Sequence, residues 1–184
     1  TPEGQDIVRE LAKTCDVMME NYKVGDLKRY RLDYESIKAL NPGIIYCSVT
    51  GFGQTGPYAP RAGYDAILQA MGGLMSVTGH LDGEPGAGPM KVGPSIVDYM
   101  TGMNSSIGIL AALYHRKANG GEGQHVDVCL FDTVIASRDW CRDNRKTIFA
   151  PNVKAIEKAY EAGGRAAPEG YRSRLTGARD DGKS

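Results

Sequence analysis

One carboxylate stands out for the company it keeps. Asp98 follows the turn Val92-Gly93-Pro94 and falls in the first turn of a predicted helix, among Ile96, Val97, Tyr99 and Met100. Two effects oppose each other there. The helix N-terminus stabilises the anion, while partial burial raises the cost of ionisation. A half-buried carboxylate at a loop exit is suited to act as a nucleophile or a base. Composition alone favours a plainer reading, an Asp that only stabilises its helix start. Asp65, after Gly63-Tyr64 at another helix start, takes that plain reading more strongly still.

Other chemistries find little support. GxSxG is absent, so a nucleophile elbow with Ser, His and Asp is not expected. His80 falls in a loop, His125 near a strand start, and His115 at a helix C-terminus, where a cation complements the dipole. Cys15, Cys47, Cys129 and Cys141 have no CxxC spacing and no histidine at ligand distance in sequence, so no metal site is expected. Cys15, Cys47 and Cys129 sit in apolar runs, which suggests buried free thiols in a reducing compartment, cytoplasmic or mitochondrial matrix. The loop Gly51-Phe52-Gly53-Gln54-Thr55-Gly56-Pro57-Tyr58 has glycines that permit positive φ and close backbone approach, so its N–H groups could hold an anion. It matches neither the dinucleotide fingerprint nor the P-loop, and a surface turn is an equal reading.

The elements that must position these residues alternate between strand and helix. Thr1-Pro2-Glu3 reads as a cap, a first-turn proline and an acidic first turn, with Ile7, Val8, Leu11 and Ala12 at helical spacing to about Thr14. A strand follows over 16–20, then a loop at Asn21-Tyr22-Lys23-Val24-Gly25 and a helix from Asp26 to about Tyr30. Residues 34–40 form a helix stopped by Asn41-Pro42-Gly43, and 44–50 is the strongest strand. Residues 64–76 read as a helix in which Gly72-Gly73 admits a close neighbour. The longest helix runs from Ser95 to Arg116, with a small-residue seam at Gly102, Ser105, Ser106, Gly108, Ala111 and Ala112. A turn over 117–124, a strand over 125–131 and a helix from Asp132 to about Trp140 complete the pattern. This alternation predicts an α/β fold, a parallel sheet with flanking helices, whose ligands sit at the carboxyl ends of the strands.

The chain has 184 residues, 41% of them hydrophobic, and equal numbers of basic and acidic side chains, 22 of each. Neutrality removes the general electrostatic case for nucleic acid or a membrane surface as partner. The balance conceals two regions. Residues 1–141 carry 12 basic and 16 acidic side chains, net −4, and residues 142–184 carry 10 and 6, net +4. A short helix is conceivable over 153–160, but 163–184 holds almost no large apolar residue, so the tail is expected to be largely disordered. The opening residues lack a basic and apolar leader, so no signal peptide is expected.

Three ordered stretches resemble the class III CoA-transferase family, which includes formyl-CoA and carnitine CoA-transferases and the related 2-methylacyl-CoA racemases. They are DVMMENYKVGDLKRYRLDYESIKALNPGIIYCSVTGFGQTGPY, AGYDAILQAMGGLMSVTG and KVGPSIVDYMTGMNSSIGILAALYHRKANGGEGQHVDVCLFDT. The resemblance implies a Rossmann-like large domain over 1–141, incomplete at both ends, with 142–184 divergent. It places the nucleophile on Asp98, reversing the plain reading: its carboxylate would attack an acyl-CoA thioester and form an acyl anhydride, and CoA would pass to a small carboxylic acid. It implies CoA as substrate rather than a resident cofactor, with Asn21, Tyr22, Arg29 and Arg61 along its path, although Lys28 and Arg29 alone read as an ordinary solvated face. It puts Tyr64, Gly53 and Gln54 in the substrate pocket. Racemases are similar to one another in having His at the position of Tyr64. A phenol ionises near pH 10 and is a poor proton shuttle at neutral pH, which favours transfer over racemisation. Family members are longer and form interlocked homodimers, so a truncated, non-catalytic CoA-binding or partner chain is the third reading.

Overall fold

In the computed structural model, residues 1–78, 83 and 85–143 are described. The elements are α1 (Pro2–Ala12), β1 (Val17–Glu20), a 3-10 turn at Asp26–Tyr30, α2 (Tyr34–Leu40), β2 (Ile45–Thr50), α3 (Asp65–Met71), a 3-10 turn at Leu74–Val77, α4 (Ile96–Ala118), β3 (His125–Cys129) and α5 (Leu130–Asp143). His80, the 153–160 segment and the 163–184 tail lie outside the described residues.

The three strands are parallel in the order β1-β2-β3. Val17 stands beside Ile45 and Glu20 beside Ser48; Tyr46 stands beside His125 and Thr50 beside Cys129. Parallel strands are covered on both faces, and every residue of β2 is buried. Side-chain alternation along β2 divides the core into two layers. Tyr46 packs with Ala12, Leu27, Leu32, Ile37 and Ile44 under α1 and α2. Cys47 and Val49 face the other way, into Leu68, Val97, Leu130 and Val134 from α3, α4 and α5.

The sequence expectations need four corrections. Strand β3 stops at Cys129, because Leu130 turns into the second core layer and the Phe131 N–H donates to Gly51 O at 3.0 Å. The helix read over 64–76 is broken in two. Gly72 passes so close to α5 that a Cβ there would lie 2.3 Å from Val134 Cγ1, and Gly73 then turns the chain at φ 78°. Cys15 is exposed, since it sits in the turn that leaves α1 for β1, whereas Cys47 and Cys129 are buried. Burial raises both buried thiols, that of Cys129 to about 11.

The fourth correction concerns α4. Its inward seam is Thr101, Ser105, Gly108 and Ala112; Ser106 and Ala111 face out. A Cβ on Gly108 would meet Val126 Cγ1 at 2.9 Å, so the small side chains set how closely α4 lies on the sheet. The large apolar residues Tyr99, Met103, Ile107, Leu110 and Tyr114 are 65–78% exposed instead.

Candidate active site

The ends of β1 and β2 are held in register by an amide. Asn21 Nδ2, just past β1, donates to Val49 O at 2.6 Å. Beyond β2 the chain crosses itself: a Cβ on Gly51 would lie 2.5 Å from Gly63 Cα, so two glycine backbones touch where the loop returns toward α3. The crossing leaves a cavity of about 440 Å³ at the carboxyl ends of β1 and β2. This is where a parallel sheet is expected to offer a binding site.

Asp98 is in its wall, together with Asn21, Tyr22, Arg61 and Tyr64. The structure therefore brings together five residues read as site residues from sequence. Asp98 lies in the first turn of α4, more exposed than the half-buried carboxylate expected. Its carboxyl is nonetheless raised above the usual range, first by loss of water and then by the neighbouring Asp65. Tyr64 is the extended residue before α3 and is 67% exposed. Tyr22 is also exposed, with its N–H fixed to Glu20 Oε2 at 2.7 Å. The Arg61 guanidinium stands 4.3 Å from the centre of the Tyr58 ring.

Three residues lie apart. Arg29 does not line the cavity; its guanidinium sits 4.6 Å from the Tyr30 ring centre. The Gly53 N–H donates to Thr50 Oγ1 at 3.0 Å, and its φ of 83° is the left-handed geometry expected of that loop. The Gln54 N–H donates to Asp127 Oδ2 at 2.9 Å, and Gln54 lines a second hollow of about 270 Å³ with Tyr46, Ser48 and His125. Among the described residues no group of His, Cys, Asp and Glu is arranged to hold a metal ion.

Asp65 is the residue that sequence reasoning undervalued. It is 6% exposed and lines the cavity beside Asp98, and its carboxylate accepts from the Val97 and Asp98 N–H groups. The available signal was the i,i+4 spacing of Asp65 and Gln69 beside Leu68, a polar pair on a buried helix face.

The fold is thus an α/β one, a parallel sheet with a cavity at its strand ends whose wall carries a carboxylate raised above its ordinary value. The family model of CoA-transferase family III matches residues 1–153, and the chain belongs to that family. Over 136 residues it is 54% identical to a succinate–glutarate CoA-transferase of Agrobacterium fabrum, covering 74% of this chain and 33% of that protein. It is 46% identical over 135 residues to a succinyl-CoA:glutarate CoA-transferase of Mus musculus, covering 73% and 30%. A solved CAIB/BAIF family protein from Brucella suis superposes with a TM-score of 0.68 at 45% identity, covering 91% of this chain and 39% of that one. The chain thus spans about a third of the length of the curated relatives it matches. No described helix is long and apolar enough to cross a membrane.

Proposed function

We propose that Asp98 is the nucleophile of a CoA transfer between an acyl-CoA and a small carboxylic acid. The observation that carries this reading is the meeting of Asp98 with Asn21, Tyr22, Arg61 and Tyr64 around one cavity. An Asp98 oxygen attacks the thioester carbonyl, the C–S bond breaks, and CoA leaves as a thiolate that stays bound. The acceptor carboxylate attacks the aspartyl carbonyl of the anhydride and displaces the donor acid. The thiolate then attacks the acceptor's carbonyl, giving the new thioester and returning Asp98. The raised carboxyl is consistent with this role, since even partial loss of water makes a carboxylate a better nucleophile than full hydration does.

Asn21 and Tyr22 form the wall for the pantetheine arm, and Arg61 supplies positive charge for a phosphate or for an acid's second carboxylate. Arg29 stands outside the cavity and would act only on the distal, nucleotide end of CoA. The relatives named for succinate and glutarate suggest a short dicarboxylic acid as the acid partner. A full-length homodimer and a reducing compartment, cytoplasm or mitochondrial matrix, belong to the same proposal.

The test is chemical trapping. With succinyl-CoA and hydroxylamine, mass spectrometry should find a hydroxamate on Asp98, and D98N should give none. A trapped acyl group elsewhere, or none on a folded chain that binds CoA, would overturn the assignment. A chain that binds CoA without turning it over is the competing reading. Turnover measured beside CoA binding on the 184-residue chain separates the two.

A further inference from the structure

The first turn of α4, which carries Asp98, has no side-chain cap of its own. Ser95, the residue before α4, makes no side-chain bond to the helix start, although first-turn N–H groups need acceptors. Asp65 provides one from α3: its Oδ1 accepts from the Val97 N–H at 2.8 Å and the Asp98 N–H at 3.3 Å. Its Oδ2 accepts from Gln69 Nε2 at 2.6 Å, and Gln69 Oε1 accepts from the Val92 N–H at 2.9 Å. Asp65 is 6% exposed and Gln69 fully buried. A carboxylate taken that far from water is tolerated only with such donors around it.

This is not how a helix-start Asp ordinarily works. α3 begins after Tyr64, and no side chain caps it. The oxygens of Asp65 serve a different helix and, through Gln69, the segment that leads into it. We propose that Asp65, clamped by Gln69, is the positioning residue for Asp98. It fixes where the first turn of α4 lies and so the direction from which the Asp98 carboxylate meets the cavity. The inference rests on the reading of Asp98 as nucleophile. Misplacement of a reacting group by about 1 Å can cost roughly a hundredfold in rate, so holding the turn from two sides has a direct chemical consequence.

Asp65 has a second effect on its neighbour. Its charge helps to raise the Asp98 carboxyl, after the larger effect of burial. The two effects separate in two variants. D65A removes both acceptor oxygens and the charge, whereas D65N keeps an acceptor oxygen for Val97 and Asp98, removes the charge, and turns an NH2 toward Gln69 Nε2, which loosens the clamp.

The experiment uses the 184-residue chain and three readouts: amide exchange at Val97 and Asp98, the carboxyl titration of Asp98 by NMR, and the Asp98 hydroxamate yield with succinyl-CoA. In D65A the two amides should exchange about tenfold faster, the loss of one ordinary hydrogen bond, while those of Cys47 and Val49 stay protected. The hydroxamate yield should fall by a similar factor or more. In D65N exchange at Val97 and Asp98 should stay within about threefold of the parent, exchange at Val92 should rise with the loosened clamp, the Asp98 titration should move to lower pH, and trapping should fall between D65A and the parent. If D65A does not fold, Q69L, which removes the clamp alone, should speed exchange at Val92 and lower the trapping yield. Unchanged exchange at Val97 and Asp98 in D65A, or at Val92 in Q69L, overturns the proposal. A parent chain that gives no hydroxamate counts against the nucleophile, while exchange and titration still decide what Asp65 does.

Discussion

Arg116 and Asp16, a hundred residues apart, tie the end of the longest helix to the start of the sheet. The Arg116 guanidinium, in the last turn of α4, donates from Nη2 to Asp16 Oδ1 at 2.6 Å and from Nη1 to Gly43 O at 2.7 Å. Asp16 stands just before β1 and Gly43 just before β2, so one side chain fixes the entry of two strands against one helix. Its inner arm is the stronger. The Asp16 side chain is 76% exposed, and an exposed ion pair contributes about 0–1 kcal/mol, whereas a charged donor to a carbonyl contributes roughly 1.5–3 kcal/mol.

D16A should therefore lower stability by less than about 1 kcal/mol and R116A by about 2 kcal/mol, in urea unfolding. R116K should recover only part of the difference, since an ammonium cannot make both bonds in the planar fork. Equal losses in D16A and R116A would contradict this ranking.

The crossing at Gly51 and Gly63 predicts two intolerant positions. Adding a methyl at either places it 2.5 Å from backbone carbon, and backbone cannot yield as a side-chain tip can. G51A and G63A should each destabilise by about 1–3 kcal/mol or more and distort the Asp98 cavity. G102A is the control, because a Cβ there meets nothing within 4 Å.

His125 should make stability fall in mild acid. The ring stacks on Tyr34 with centroids 4.6 Å apart and lies 2.9 Å, through Nε2, from Ser48 Oγ. Burial is the first cause of its lowered pKa. The folded state thus disfavours the imidazolium. The stabilisation is present above the unfolded value near 6.5 and is lost as pH falls through the lowered folded value. Tm followed from pH 7.5 to 5 should drop more in the parent than in H125Q; parallel curves would refute the assignment.

Asp98 has the opposite linkage. Its folded carboxyl is raised, so the advantage of the protonated form is present below about pH 3.9 and is lost as pH rises through the folded value. At neutral pH, D98N should consequently melt no lower than the parent, and slightly higher, while abolishing trapping. A marked loss of Tm in D98N would mean that Asp98 supports its helix instead.

What the sequence by itself determined is local. Thr1-Pro2 start a helix because the Thr1 hydroxyl accepts the Gly4 N–H, and the apolar run after Gly43 is a buried central strand. Asp98 was legible as a first-turn carboxylate, and the resemblance of the motifs around it is what suggested the role proposed for it. Where signals are short-ranged, composition and spacing carry them.

Only the tertiary structure decided which groups meet. Asp65 read as an ordinary helix start, yet with Gln69 it binds another helix and the segment before it. Gln54 follows the same glycine loop as Gly51 but turns to Asp127 on β3, away from the Asp98 cavity. α4 meets the sheet through Thr101, Ser105, Gly108 and Ala112, and its bulky apolar residues point outward. Such pairings depend on register and crossing distance between elements many residues apart, and a spacing within one element contains neither.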